Sequence, residues 1–178
     1  MSTLDELAER TAGGDREAFG KIYEELLEPV YRYFYWNLAS PEETEDLTQE
    51  VFVRCLVHIS DFDRRKAAFK SWVFRIAHNL LVDHLRHRRT SDELPQEMEA
   101  GQTPVAEAVE EEGRRRAVRS ALGELPALQR QVIVMKYFAE MSNEEVAAVL
   151  GRSQGAVNAL QHRALRKLGG ILEKRGWR

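Results

Sequence analysis

Seven side chains near the C-terminus are of the types that read DNA. Arg152, Ser153, Gln154, Asn158, His162, Arg163 and Arg166 lie on, or just ahead of, one helical segment. On a 100° wheel Val157, Leu160, Ala164 and Leu168 point inward. Gly155, Asn158, Ala159, His162, Arg163 and Arg166 point outward. Arg, Asn and Gln pair bidentately with base edges in the major groove. Gln154 sits in the first turn, where the peptide dipole favours a phosphate. A second group is aromatic and basic. Trp72, Arg75, Asn79, Asp83 and Arg86 recur three or four residues apart, on a stripe separate from the apolar Val73, Ile76, Ala77, Leu80 and Leu81. An exposed tryptophan among arginines and amides suits a surface that stacks an unpaired base while cations follow the phosphates. Lys70 and the loop Phe62-Asp63-Arg64-Arg65-Lys66 add to it. The competing readings are a tryptophan packed on that loop and an ordinary solvated helix face.

Other chemistries find no support. His84 and His87 are three apart beside Asp83, but His84 falls at the centre of the apolar stripe, which suits a core or capped histidine better than a metal ligand. Cys55 is alone, excluding an internal disulfide and any multi-cysteine zinc site. P-loop, GxSxG and HExxH patterns are missing, so neither an enzyme nor a cofactor is expected. The longest unbroken apolar run is Val146–Leu150, far short of the roughly 20 residues of a membrane span. The acidic N-terminus carries no apolar signal core. These features point to a soluble cytoplasmic protein.

Charge divides the chain. Its net −3 comprises −9 over residues 1–61, +6 over 62–90, −8 over 91–112 and +8 over 113–178. Two basic blocks suggest contact with a polyanion. Helical periodicity recurs throughout and strand signals are almost absent. Phe19, Ile22, Tyr23, Leu26 and Leu27 make one stripe. Ser40-Pro41-Glu42-Glu43 is a capping box with proline at the first helical position, opening a helix that carries Leu47, Val51 and Phe52 inward and ends near Ile59. Another helix runs from Phe69 to about Arg89. Residues 91–112 contain Pro95, Gly101 and Pro104, no aromatic and only acidic charges, and read as a flexible linker. Helices are predicted again from about Arg114, over Ala127–Phe138, Asn143–Leu150 and Gln154–Leu168, with Gly169-Gly170 as a stop. Ser142-Asn143-Glu144-Glu145, the turn at Gly151 and the cap at Ser153 make a helix-turn-helix. The expected fold is all-α. A domain over 1–90 and a second over 113–178 are joined by the acidic linker of 91–112.

Five segments occur in a telling order: DREAF (15–19), DLTQEVFVR (46–54), FKSWVFRIAHNLLVDHLR (69–86), LPALQRQVI (125–133) and the helix-turn-helix of 142–168. Together they closely resemble the sigma factors of bacterial RNA polymerase, in particular the small extracytoplasmic-function (ECF) group. The resemblance covers nearly the whole chain. It implies a region 2 and a region 4, which recognise promoter DNA and bind the polymerase core. Region 2 would dock on the clamp helices of the largest core subunit, at positions matching Asp46, Leu47, Gln49, Glu50, Phe52 and Arg54. Arg64, Arg65, Lys70, Trp72, Arg75, Asn79, Asp83 and Arg86 would read the −10 element, trapping a flipped base after melting. Region 4 would read the −35 duplex through Arg152, Ser153, Gln154, Asn158, His162, Arg163 and Arg166, and would meet the flap of the second largest subunit. The acidic linker would pass through the polymerase near the active cleft. Family members are often held inactive by an anti-sigma factor. Where most members have arginine then leucine, this chain has Leu160-Gln161, which suggests that Leu160 takes an inward position, so −35 specificity does not carry over from better-known members. The alternatives are a stand-alone helix-turn-helix regulator, which lacks a reason for the Trp72 stripe, and a nucleic-acid enzyme, which lacks a carboxylate cluster in a basic cleft.

Overall fold

The computed structural model describes residues 3–90 and 106–176, and among these every regular element is helical. Helix α1 (Leu4–Ala12), absent from the sequence-based expectation, starts from a reciprocal capping box of Thr3 and Glu6. Helix α2 (Arg16–Asn37) is capped by Asp15, whose carboxylate accepts from the Ala18 N–H at 3.1 Å. That bond, with the Arg10 guanidinium, holds the Asp15 carboxyl below the usual carboxylate range. Helix α3 (Pro41–His58) begins at the Ser40 cap with Pro41 in its first turn, as the sequence predicts, but the Glu43 carboxylate turns to His84 and Arg88 instead of closing the capping box; the helix tightens into a 3₁₀ turn over Ile59–Asp61. Helix α4 (Phe69–Thr90) borrows its cap from α1: the Phe69 N–H donates to the Asp5 carboxylate at 2.7 Å. Ile22, Leu26, Val30 and Phe34 of α2, Val51, Phe52 and Cys55 of α3, and Phe69, Val73, Phe74, Ala77 and Leu81 of α4 form the N-terminal core. Burial pushes the Cys55 thiol up to about 12, so it is an inert core residue.

The C-terminal unit holds α5 (Ala106–Gly123), α6 (Ala127–Ile133) continued by a π turn over Val134–Phe138, α7 (Asn143–Leu150) and α8 (Gln154–Lys174). Two boundaries differ from the sequence reading. Helix α5 takes in the last seven residues of the stretch read as linker. Glu110, Glu111 and Glu112 pair one turn on with Arg114, Arg115 and Arg116, so the acidic run is half of an ion-pair ladder. The rest of that stretch, 91–105, lies outside the described residues. Helix α8 also passes straight through Gly169-Gly170. Glycine permits a break without forcing one, and the half-buried Ile171 and Leu172 beyond it hold the helix on the core. The positive φ of 81° comes later, at Gly176. The turn at Gly151 is as expected, with φ 61° and ψ 39° in the left-handed region.

The two units touch. Helix α7 packs on α4, and the π turn packs on α2. The rings of Trp36 and Phe138 lie 4.3 Å apart. The Tyr33 hydroxyl donates to Gln131 Oε1 at 2.8 Å and lies 3.1 Å from His78 Nδ1, while Gln131 Nε2 donates to Asn37 Oδ1 at 2.9 Å. No short-range pattern in the sequence announces this seam. Tyr33 is fully buried, and its polar tip is shared between His78 of its own unit and Gln131, also buried, of the other.

Desolvation keeps the His78 imidazole below its ordinary value of 6.5. The folded chain therefore takes up this proton later than the unfolded chain. Stability from neutral His78 is complete above pH 6.5 and is lost as pH falls through the lowered value. Thermal melts at pH 7.5 and 5.0 should show a drop that is smaller in His78→Gln. An equal drop in both chains would remove His78 as its source.

Candidate nucleic-acid interface

The helix-turn-helix is built by local rules. Ser142 and Glu145 cap α7 reciprocally, Gly151 makes the turn, and Ser153 caps α8 by accepting from the Ala156 N–H at 3.1 Å. The Ser153 hydroxyl is thus engaged in the cap. Val157 and Ala164 are buried and Leu160 and Leu168 half-buried, whereas Arg152, Ser153, Gln154, Asn158, His162, Arg163 and Arg166 are all exposed. The inward turn of Leu160 read from the wheel holds in the structure. Its neighbour Gln161 fastens the helix instead. Gln161 Nε2 donates to the Tyr137 hydroxyl at 2.8 Å, and Asn143 Nδ2 donates to Gln161 Oε1 at 2.9 Å and to Asn158 Oδ1 at 2.5 Å. Asn158 is therefore held in place by α7, a restraint invisible in the sequence. Among the described residues Arg152, Arg163 and Arg166 have no hydrogen bond or ion pair. Three unpaired guanidiniums around one helix face can meet phosphates without first breaking an internal contact.

The cations of the N-terminal unit are differently placed. Arg64 pairs with Glu9 at 3.2 Å, Arg65 with Asp63 at 3.0 Å, and Arg86 approaches Asp83 at 3.8 Å. Lys70 donates to the Glu140 carbonyl at 2.8 Å, and Arg75 to the Ala148 carbonyl at 2.7 Å. Asn79 is exposed on the same helix. Trp72 differs from the sequence reading. It is half-buried, stacked on Phe69 at 5.5 Å and 26° and lying 5.9 Å from Phe62 of the preceding loop. The wheel places it on the polar stripe, but that stripe borders the aromatic loop, and the ring leans on it. The indole is thus braced, with part of its surface still open.

Helix α3 carries one clear correction. Phe52 is 5% exposed and packs edge-on against Tyr23 at 4.7 Å, so it cannot offer a face to a partner. The outward apolar positions are Val53 at 56%, Leu56 at 51% and Val57 at 67% exposed. Helix α3 is only weakly amphipathic, so these outward apolar positions do not stand out in the sequence. Asp46, Gln49 and Arg54 are exposed, Leu47 and Glu50 half-buried, and Glu50 pairs with Arg54 at 2.7 Å. A second missed surface is an apolar cleft of about 170 Å³ in the C-terminal unit, lined by residues of α5, α6, the π turn and α8, including Leu122, Phe138, Leu165 and Leu172. His84 Nε2 lies 3.3 Å from a carboxylate oxygen of Glu43, which Arg88 also approaches at 3.4 Å. That is a structural setting for the histidine, as the apolar stripe implied.

Comparison with known proteins fits both halves. The sigma-70 region 2 profile matches residues 22–90, and the sigma-70 region 4 profile matches residues 115–168. The ECF RNA polymerase sigma factor SigW of Bacillus subtilis is 33% identical over 169 residues, covering 86% of this chain and 90% of SigW. BldN of Streptomyces coelicolor, another ECF sigma factor, is 33% identical over 172 residues, 94% of this chain but 65% of BldN. Among solved structures, CnrH, in complex with the cytosolic domain of CnrY, superposes with a TM-score of 0.71 at 30% identity, covering 94% of this chain and 96% of CnrH. The sigma factor RpoE of Bartonella quintana, in complex with the anti-sigma factor NepR, shares the fold at a TM-score of 0.69 and 21% identity, over 87% of this chain and 96% of RpoE. With profiles for both regions in the expected order and a relative matched over nearly its full length, the chain belongs to the ECF sigma factors of the sigma-70 family.

Proposed function

We propose that this chain binds the core of RNA polymerase and directs promoter-specific initiation, reading the −35 element with α8 and the melted −10 element with α4. One observation carries the reading most: two helices of different surface chemistry in one chain. Helix α8 offers unpaired arginines and amides, suited to a duplex groove, and α4 offers a braced tryptophan with cations, suited to a single strand. The functional division is residues 1–90, the tether 91–112 and residues 113–178, with the start of α5 overlapping the tether. The protein acts by binding, without catalysis or cofactor, in the cytoplasm where the polymerase works. Core polymerase with this chain should yield discrete transcripts from a cognate promoter. Binding of promoter duplex by the chain without any transcript from the reconstituted polymerase would favour the stand-alone regulator instead.

The core would dock at two places. The clamp helices of the largest subunit would meet α3 through Asp46, Gln49, Glu50 and Arg54 together with the apolar Val53, Leu56 and Val57. The flap of the second largest subunit would enter the apolar cleft of the C-terminal unit. Solved relatives carry CnrY and NepR, which supports an anti-sigma partner for this chain too.

Burying a leucine side chain contributes roughly 1.5–3 kcal/mol, so Leu56→Glu should weaken holoenzyme formation by about tenfold or more. Glu50→Lys should weaken it less, because a half-exposed charge is screened. Both chains should melt near the wild-type temperature, since neither side chain is in the core. Normal co-purification of folded Leu56→Glu with core would exclude this face.

A further inference from the structure

Four side chains of the C-terminal unit form one directed hydrogen-bond chain that ends on the outward face of α8. Gln161 Nε2 donates to the Tyr137 hydroxyl at 2.8 Å, and Asn143 Nδ2 donates to Gln161 Oε1 at 2.9 Å and to Asn158 Oδ1 at 2.5 Å. Asn143 is the first residue of α7, directly after the Ser142 cap, and is half-buried. Asn158 is exposed, one turn after Gln154 and one turn before His162. The chain thus ends at a side chain assigned to base reading.

The sense of this chain is set by one orphaned atom. Both hydrogens of Asn143 Nδ2 are spent, whereas Asn143 Oδ1 is buried and accepts no hydrogen bond among the described residues. Turned over, the Asn143 amide would accept from Asn158 and Gln161 and leave its NH2 buried without an acceptor. Two orphaned N–H donors cost more than one orphaned carbonyl oxygen. Asn143 therefore donates and Asn158 accepts. The planar Asn158 amide that turns its oxygen to Asn143 turns its NH2 the other way. Asn158 then forgoes the bidentate pairing with adenine, which needs oxygen and nitrogen together at N6 and N7. It keeps a donor for guanine N7 or O6, or for thymine O4. Cytosine presents only its N4 donor in the major groove and is disfavoured.

We propose that Asn143 of α7 determines which base Asn158 of α8 selects: by donating to the Asn158 oxygen it commits Asn158 to an acceptor-bearing base, guanine or thymine, at one position of the −35 element. Asn158 makes the contact, and Asn143 is a positioning residue. The Tyr137 hydroxyl can donate as well as accept, so the whole chain reverses when its middle member is made acceptor-only. This inference rests on the reading of α8 as the −35 helix.

The test selects duplexes from a randomised pool with the full chain and reads the base frequencies by sequencing. Asn158→Ala marks the position that Asn158 reads, as the column whose preference it flattens. There the unsubstituted chain should favour guanine or thymine over cytosine by about fivefold, the worth of one hydrogen bond. Asn143→Asp has two acceptor oxygens and no donor, so Asn158 must turn its NH2 toward α7 and its oxygen outward. The column should then reverse and favour cytosine or adenine, whose exocyclic amines donate. A carboxylate in the first turn of α7 suits the helix, so the melting temperature should hold, and its charge weakens all duplexes alike without reordering the bases. Asn143→Ala, with no hold on Asn158, should raise adenine to the level of guanine. An unreversed column in Asn143→Asp together with an unmoved adenine in Asn143→Ala would overturn the inference. So would a preference for cytosine or adenine in the unsubstituted chain, or an Asn158→Ala chain that flattens no column. No enriched sequence with the unsubstituted chain would instead overturn the reading of α8.

Discussion

A Trp72→Ala chain should keep its affinity for −35 duplex and lose about tenfold or more in open-complex formation. A base stacked on an aromatic ring contributes roughly 1–3 kcal/mol by alanine substitution. The contribution exists only once a single strand exists, so it appears at melting and not at first encounter. The ring also leans on Phe69 and Phe62, and aromatic pairs of this kind contribute about 0.5–1.5 kcal/mol each. The alanine chain should therefore melt a few degrees earlier while remaining folded at the assay temperature, and Trp72→Phe should recover both properties in large part. Permanganate reactivity of thymines around the −10 element reads the defect. A template already unpaired across that element should partly rescue the alanine chain, because the unstacking cost is met in advance. Normal permanganate reactivity with the folded alanine chain would make Trp72 a purely structural residue and leave Arg75 and Arg86 as simple phosphate contacts.

The second large effect belongs to α8. Arg163 and Arg166 are exposed and have no partner among the described residues, so their removal costs no internal contact. Each is expected to contribute through a phosphate or a base edge, the latter worth about 1–3 kcal/mol. The double alanine chain should bind −35 duplex about a hundredfold more weakly at moderate salt. If both arginines touch phosphates, the slope of log affinity against log salt should fall by about 2. If one reads a base, the slope should fall by about 1 and discrimination at one position should relax. Binding isotherms at several salt concentrations, with cognate and single-substitution duplexes, separate these outcomes. Unchanged affinity and slope would mean that α8 is not the recognition helix.

What the sequence made legible was whatever rests on short-range rules. The caps at Ser40, Ser142 and Ser153, the left-handed turn at Gly151 and the inward set Val157, Leu160, Ala164 and Leu168 are each fixed by a few neighbouring residues, and each is found in the structure. Contacts between distant segments were not legible. Asp5 capping α4, Gln131 satisfying Tyr33 and Arg75 resting on Ala148 join residues from 64 to 98 positions apart or belong to different units. Periodicity also ranks faces without stating depth. It carried Phe52 inward, where Tyr23 closes it off, and put Trp72 on the polar stripe, where Phe69 and Phe62 brace it. The glycine pair at 169–170 looked like an end because glycine is a weak helix former, yet the packing of Ile171 and Leu172 outweighs a cost of about 1 kcal/mol per residue.

The early start of α5 sets a length. Between Thr90 and Ala106 stand fifteen residues, which reach about 50 Å at full extension. Residues 106–112, wound into α5, advance only about 10 Å along its axis, where an extended chain of seven residues would give about 25 Å. The difference equals about four base pairs of duplex. The ladder of Glu110–Arg114, Glu111–Arg115 and Glu112–Arg116 favours the wound form by a few tenths of a kcal/mol per pair, about the worth of an exposed helical ion pair. In the proposed function, winding those residues shortens by that difference in length the reach between α4 and α8.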